Sequence, residues 1–280
     1  MRSEGQTEFN NWLLNIGCGR TERIPVLSEE MVEIPAGMTT SNPIVKTIFG
    51  SNLHEMSTED LTKRVILAST NEVCLNINRE IIRKLPGEER IYNSADSLVS
   101  DDPNDAANYP PEFLHSITLS GMPPHHLALK VGAIVMLIRN LNPGKGLCNG
   151  TRLIIRSLQQ HSITAEILSE CNRGDKVNIP RIDLAPSDVS LPFILRRRQF
   201  PVIPAFAVTI NKSQGQTYDH VGVFLNDPVF SHGQLYVALS RSRNRDNIKV
   251  FITPGPQQGK LLKDGRNFTH NIVYKEIFNM

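Results

Sequence analysis

Two stretches of this chain, residues 64–85 and 205–252, alternate short apolar runs with polar turns and apolar residues at helical spacing. Between them, residues 112–185 change to short β-rich segments divided by Gly, Pro and Asn turns. A strand that is apolar along its whole length must be covered on both faces, and helices flanking a parallel sheet provide that cover. The outer stretches therefore predict one α/β domain, and the middle a small antiparallel all-β barrel inserted into it. In the first stretch, Arg64 to Asn71 reads as a strand closing on polar capping residues. Val73, Ile77, Ile81 and Leu85 mark the helix that follows, and Pro86-Gly87 ends it. In the second, strands over Ala205 to Ile210, Val221 to Leu225 and Ile248 to Ile252 enclose a helix over Gly233 to Ser242.

The remaining segments carry weaker signals. Phe9, Trp12, Leu13 and Ile16 give the first 40 residues a short amphipathic helix running into a connector. Residues 92–109 are rich in Ser, Asp, Asn and Ala without period and read as an exposed connection, residues 185–204 as a linker, and residues after Pro254 as a tail. The expected organisation is 1–40 as helix and connector, 41–110 with 200–254 as a discontinuous α/β domain, 111–199 as the inserted barrel with its linker, and 255–280 as the tail.

At 280 residues and 40% hydrophobic, the chain can bury a substantial core. No apolar run approaches the roughly 18–20 residues that span a bilayer, and Met1-Arg2-Ser3-Glu4-Gly5 is too polar for a signal peptide, so a soluble intracellular protein without a membrane partner is expected. Cys18, Cys74, Cys148 and Cys171 stand far apart with no Cys-x-x-Cys pair, which argues for reduced thiols and against zinc or a disulfide framework. Charge is uneven. Residues 51–110 hold 11 Asp/Glu against 6 Lys/Arg, whereas residues 191–250 hold 8 Lys/Arg against 3 Asp/Glu, including the run Arg196-Arg197-Arg198. That run is either a solvated patch or a contact for a phosphate backbone.

The basic surplus coincides with the part of the chain richest in candidate chemistry. Thr209 to Thr217 is a polar loop following an apolar strand, and Tyr236 to Arg243 is a helix ending in arginines. Backbone N–H groups and a guanidinium are what polyphosphates require. The bland alternatives are a capped turn at Lys212–Gln216 and arginines that complement a helix C-terminus at Arg241 and Arg243. His125-His126 suggests a metal pair, but neighbours on a strand face opposite ways, so a surface loop without metal is expected there.

Thr209 to Thr217 resembles the fifth helicase motif, and Gln234 to Arg241 the sixth, of superfamily 1B DNA helicases of the petite-integration-frequency (Pif) family. Arg64 to Asn71 resembles the fourth motif, Gly121 to Leu127 through Gly146 to Leu153 the start of the inserted 2B barrel, and Asn271 to Glu276 the end of Helitron-transposon members. Such enzymes hold ATP between two RecA-like domains and move 5′ to 3′ along single-stranded DNA, in repair, recombination or telomere maintenance. The resemblance implies a second RecA-like domain with an SH3-like 2B insert, residues 1–40 coming from the first. It makes Arg241 the arginine finger, sets Gly215 and Gln216 beside the phosphates, and assigns DNA-backbone contacts to Thr209, Asn211, Lys212 and Ser213. Asn211 stands where the family commonly has histidine. The implied partners are single-stranded or forked duplex DNA and an N-terminal RecA-like domain, in the nucleus or the mitochondrion.

A motor also needs a Gly-x-x-x-x-Gly-Lys-Ser/Thr loop for the β-phosphate and Mg²⁺. The two Gly-Lys pairs fail the pattern: Gly144-Lys145 is followed by Gly146 and Gly259-Lys260 by Leu261. The paired acids that end a strand are missing too, so the chain is expected to start after the third motif and to use ATP and Mg²⁺ only with the missing domain. The alternative is a non-catalytic module, or transposon relic, that binds single-stranded DNA or a protein.

Overall fold

The computed structural model describes residues 6–22, 24, 27–99, 108–119, 121–169, 172–186, 191–261 and 265–276. It divides into two compact units, Met1–Ile77 with Phe206–Met280, and Asn78–Ala205. Among the described residues no helix is long and apolar enough to cross a membrane. Cys171 lies outside them; Cys18, Cys74 and Cys148 are free thiols.

The first unit is built on a four-stranded, wholly parallel sheet in the order Ala207–Thr209, Arg64–Ala68, His220–Leu225, Ile248–Ile252. Val65, Ile66, Leu67 and Ala68 are all fully buried, as a strand covered on both faces requires. Helix Ile44–Phe49 packs on one face. A Cβ at Gly222 would stand 2.6 Å from Ile48 Cγ1 and 3.0 Å from Ile44 Cγ1, so the glycine sets how closely that helix approaches. Helix Thr7–Cys18 buries Phe9, Leu13 and Ile16 and packs on helix Gln234–Leu239.

The chain ends differ from the tail and connector expected of them. Met31–Ile34, Asn267–His270 and Gln258–Lys260 form a separate antiparallel sheet. Its anchor is polar: buried Gln258 donates through Nε2 to the carbonyls of Leu225, Asn226 and Thr253 at 2.9, 3.2 and 2.9 Å. Met31, Val32, Ile34 and Phe268 are buried in it as well, but over strands of only three and four residues, too short for a hydrophobic period to stand out.

The second unit contains the expected small antiparallel sheet, five strands in the order Val202–Pro204, Ile134–Leu137, Arg152–Leu158, Ser162–Ile167, Lys176–Pro180. The apolar run 127–138 is two strands, His126–Leu129 and Ile134–Leu137, broken where Gly132 takes φ +84°. The unit begins at Asn78 rather than at 111, because Arg90–Asn93 pairs with His126–Leu129 and Ala95–Val99 with Ile194–Gln199. The segment read as a connection thus holds the end of one strand and the whole of another, its 100–107 part lying outside the described residues. The expected linker likewise holds Ile194–Gln199 and Val202–Pro204.

Strand Ile194–Gln199 alternates exposed and buried positions, which splits the arginine run: Arg196 and Arg198 face outward and Arg197 is fully buried. Arg197 therefore belongs neither to a solvated patch nor to a phosphate contact. Its Nε and Nη2 bind Asp96 Oδ1 and Oδ2 at 2.9 and 2.7 Å, and its remaining donors reach the carbonyls of Ile117, Pro123 and Leu114 at 3.0, 3.1 and 2.9 Å. Burial pushes the Asp96 pKa up, but the bonds from Arg197 and Ser94 outweigh it and hold the carboxyl below its ordinary value.

His125 is buried too, correcting the expected surface loop, and its Nδ1 lies 2.8 Å from Ser94 Oγ. It stacks on His115 with centroids 3.8 Å apart and planes 14° from parallel. Ligating atoms of Asp96, His115 and His125 lie within 4.8 Å of one another. Stacked imidazoles direct their in-plane lone pairs side by side rather than at one point, and Arg197 occupies both carboxylate oxygens. The cluster suits packing, not metal coordination.

Candidate nucleic-acid interface

Parallel pairing of Thr209 with Ala68 sets the carboxyl ends of two strands side by side, each running into a polar loop. Ligands of open α/β sheets bind at that edge, where loops leave the strands and backbone groups are unpaired by the sheet. Here the loop after Arg64–Ala68 leads into helix Asn71–Lys84, and the loop after Ala207–Thr209 is a single 3₁₀ turn, Ile210–Ser213, followed by Gly215.

The 3₁₀ turn sorts its residues sharply. Asn211 is exposed and Lys212 half-buried, but Ser213 is fully buried and its hydroxyl donates to the Ile210 carbonyl at 2.6 Å. Ser213 locks the turn and is withdrawn from the surface on which a DNA contact was expected. Asn211 Oδ1 accepts from Nε2 of buried Gln234 at 3.4 Å. Burial pushes the Lys212 pKa down, with Cys74 acting the other way; burial pushes the Cys74 thiol up to about 12. A partly desolvated ammonium gains more from an anionic partner than one in water.

Gly215 takes φ +84°, a backbone region that L side chains rarely adopt, and a Cβ there would meet nothing within 4 Å. The glycine is required by the turn itself. Gln216 braces the same turn: its Nε2 donates to the Lys212 carbonyl at 3.3 Å and its Oε1 accepts from the Tyr218 hydroxyl.

Arg241 ties this loop to helix Gln234–Leu239. Its Nε donates to the Val237 carbonyl at 2.8 Å, Nη2 to Ser240 Oγ at 2.7 Å, and Nη1 to the carbonyls of Gln216 and Ser213 at 3.1 and 3.4 Å. Its own carbonyl accepts from Tyr218 N at 2.9 Å. The structure thus brings Arg241, Gly215, Gln216, Asn211 and Lys212 to one loop cluster, with Thr209 half-buried at the strand end. Arg243, two residues further on and past the end of the helix, is exposed. Gln234 and Tyr218 have structural roles that spacing alone did not reveal; their signal is only that polar side chains occupy buried positions.

The cations of the cluster, Arg241 and Lys212, are of the kind that phosphate oxygens pair with, while the N–H groups of Gln214 and Gln216 bond within the turn to the Asn211 and Ser213 carbonyls. Its named side chains include no carboxylate, so Mg²⁺ finds no hard oxygen ligand in Thr209, Asn211, Lys212, Gln216 or Arg241 beyond neutral amide and hydroxyl groups.

Comparison with known proteins agrees with these motifs. The family described as DNA helicase Pif1, 2B domain, matches residues 112–158. The ATP-dependent DNA helicase PIF1 of Homo sapiens is 27% identical over 211 residues, 75% of this chain and 30% of the human protein. That of Danio rerio is 33% identical over 175 residues, 62% of this chain and 25% of the fish protein. The crystal structure of Bacteroides Pif1 bound to ssDNA superposes with a TM-score of 0.59 at 25% identity, covering 90% of this chain and 51% of that one. The chain spans about half the length of the bacterial relative and less of the vertebrate ones. Motif order, the matched 2B segment and the parallel sheet make this chain similar to the second RecA-like domain, with its 2B insert, of Pif1 helicases.

Proposed function

We propose that this chain is the C-terminal half of an ATP-dependent helicase that moves 5′ to 3′ along single-stranded DNA. Arg241 is its arginine finger, Gly215 and Gln216 flank the nucleotide phosphates, and Thr209, Asn211 and Lys212 hold the DNA backbone. Ser213 acts indirectly, by fixing the turn. ATP and Mg²⁺ are bound with an N-terminal RecA-like domain, which supplies the phosphate loop and the carboxylates; single-stranded or forked DNA is the substrate. The 280 residues alone do not turn over ATP. Repair, recombination or telomere maintenance, in the nucleus or mitochondrion, are the settings that fit.

The observation that carries the reading is the Arg241 guanidinium bound to the carbonyls of Ser213 and Gln216, which joins the nucleotide-side residue to the DNA-side turn. Nη1 bridges two acceptors, one as far as 3.4 Å, so it has the weakest hold and can exchange them for phosphate oxygens as charge develops in the transition state. Movement of Arg241 then releases the turn that grips DNA. A second reading, a non-catalytic DNA-binding module, is favoured by the same geometry in another light: every nitrogen of Arg241 already has a protein acceptor.

Titration of a labelled single strand at low and moderate salt tests the DNA half. Binding is expected at low salt, and Lys212→Ala should weaken it while making the log–log salt dependence shallower by about 0.7. No binding at low salt, or a salt slope untouched by Lys212→Ala, would sink it.

A further inference from the structure

The outward face of strand Ile194–Gln199 carries a second basic surface that the loop cluster does not use. Arg196 and Arg198 are exposed there, two residues apart and therefore roughly 7 Å along one strand face. The neighbouring strand Ile182–Leu184 sets Asp183 opposite Arg198, but their closest approach is 3.9 Å and the side chains are 64% and 50% exposed. Such a contact neutralises little.

Arg181 extends the row. Its guanidinium lies over the rings of Phe200 and Tyr92, 5.0 and 5.5 Å from their centroids, and Nη1 donates to the Asn93 carbonyl at 2.7 Å. Burial is the first influence lowering its pKa; Tyr92 opposes and Arg198 adds to it, so the two arginines feel each other's charge. Arg90 shares the Tyr92 ring with Arg181, lying 5.3 Å from its centroid, and donates to the Leu158 carbonyl at 2.8 Å.

Four arginines are thus gathered in the second unit, two of them fixed by ring faces and carbonyls, at a Coulomb cost that an anionic ligand relieves. The rings beneath them are covered: Tyr92 is 3% exposed and Phe200 fully buried. Neither ring offers a face on which a base could stack, as single-strand binders use. Contacts are limited to phosphates, which duplex DNA presents outward while its bases stay paired.

We infer that Arg90, Arg181, Arg196 and Arg198 form a sequence-independent site for the phosphate backbone of duplex DNA. It extends the DNA-binding reading above to the second unit, but rests on different residues, so each can fail alone.

The test is anisotropy with the full chain, using a short labelled duplex and one of its strands at several salt concentrations. Arg196→Gln with Arg198→Gln, both on an exposed face, should keep the thermal melt of the parent and lower duplex affinity about tenfold at low salt. The log–log salt slope should become shallower by about 0.9 for each phosphate that is no longer neutralised. Arg181→Gln should do the same singly, and single-strand affinity should stay within twofold of the parent. Duplex binding unchanged in these variants, or absent from the parent at low salt, overturns the inference. An equal loss for single strand and duplex overturns the choice of duplex. A preserved duplex effect with a silent Lys212→Ala would instead retain this site and remove the loop reading.

Discussion

Arg197 shows how much a single side chain can be asked to do: with Asp96 it is an ion pair shut away from water, and its remaining donors close three carbonyls. Removing the cation leaves a buried carboxylate uncompensated. Arg197→Ala should therefore cost about 3–5 kcal/mol, against under about 0.5 kcal/mol for Arg196→Ala, read as the difference in urea unfolding free energy. Equal small losses would show that the pair is not a structural link. His125, beside it, gives the pH dependence. Burial, then the charges of His115 and His126, push its pKa below the ordinary value, with Asp96 opposing. As pH falls through the ordinary histidine range the unfolded chain takes up a proton that folded His125 resists, so stability declines from neutral toward pH 5. Asp96 works in a lower window: its pKa is depressed, so its contribution stays until pH falls below the ordinary carboxylate range. His125→Asn should reduce the first decline, to which His220 also contributes because burial lowers its pKa too, and leave the second, in urea melts across pH. A histidine-range slope that the substitution leaves unchanged would assign it to His220 or another group.

At the level of elements, legibility followed the chemistry of the buried face. Arg64–Ala68 and Ile248–Ile252 were readable because almost nothing but apolar side chains is buried along them. Ile194–Gln199 was not, because two of its three inward positions are Arg197 and Gln199, which satisfy themselves by hydrogen bonds. Ala95–Val99 failed for the same reason at Asp96, the partner of that arginine. The contact between helix Ile44–Phe49 and the central sheet is a steric question instead. Gly222→Val would drive a branched side chain into Ile44 and Ile48, so a loss of about 1–3 kcal/mol is expected, while Gly37→Ala, with open space around it, should be nearly silent. Comparable melting temperatures for the two variants would contradict the close approach.

Across the whole molecule, the loop Ile210–Gln216 and helix Gln234–Leu239 meet only through folding. Joined to an ATP-binding domain, Arg241→Ala should lower turnover about 10³-fold or more with little change in ATP affinity, as loss of a group acting mainly in the transition state would. Matching losses in ATP and DNA affinity would mark Arg241 as a clamp on the loop. By itself the sequence determined the parallel sheet, the inserted β unit and the order of the helicase motifs, because apolar periodicity and short-range spacing are local properties of a chain. Only tertiary structure decided that Ser213 faces inward, that Arg197 parts from its neighbours, and that Gln234 reaches Asn211. Those outcomes depend on which buried polar group finds a partner far along the chain, and desolvation makes that pairing obligatory without leaving a local trace.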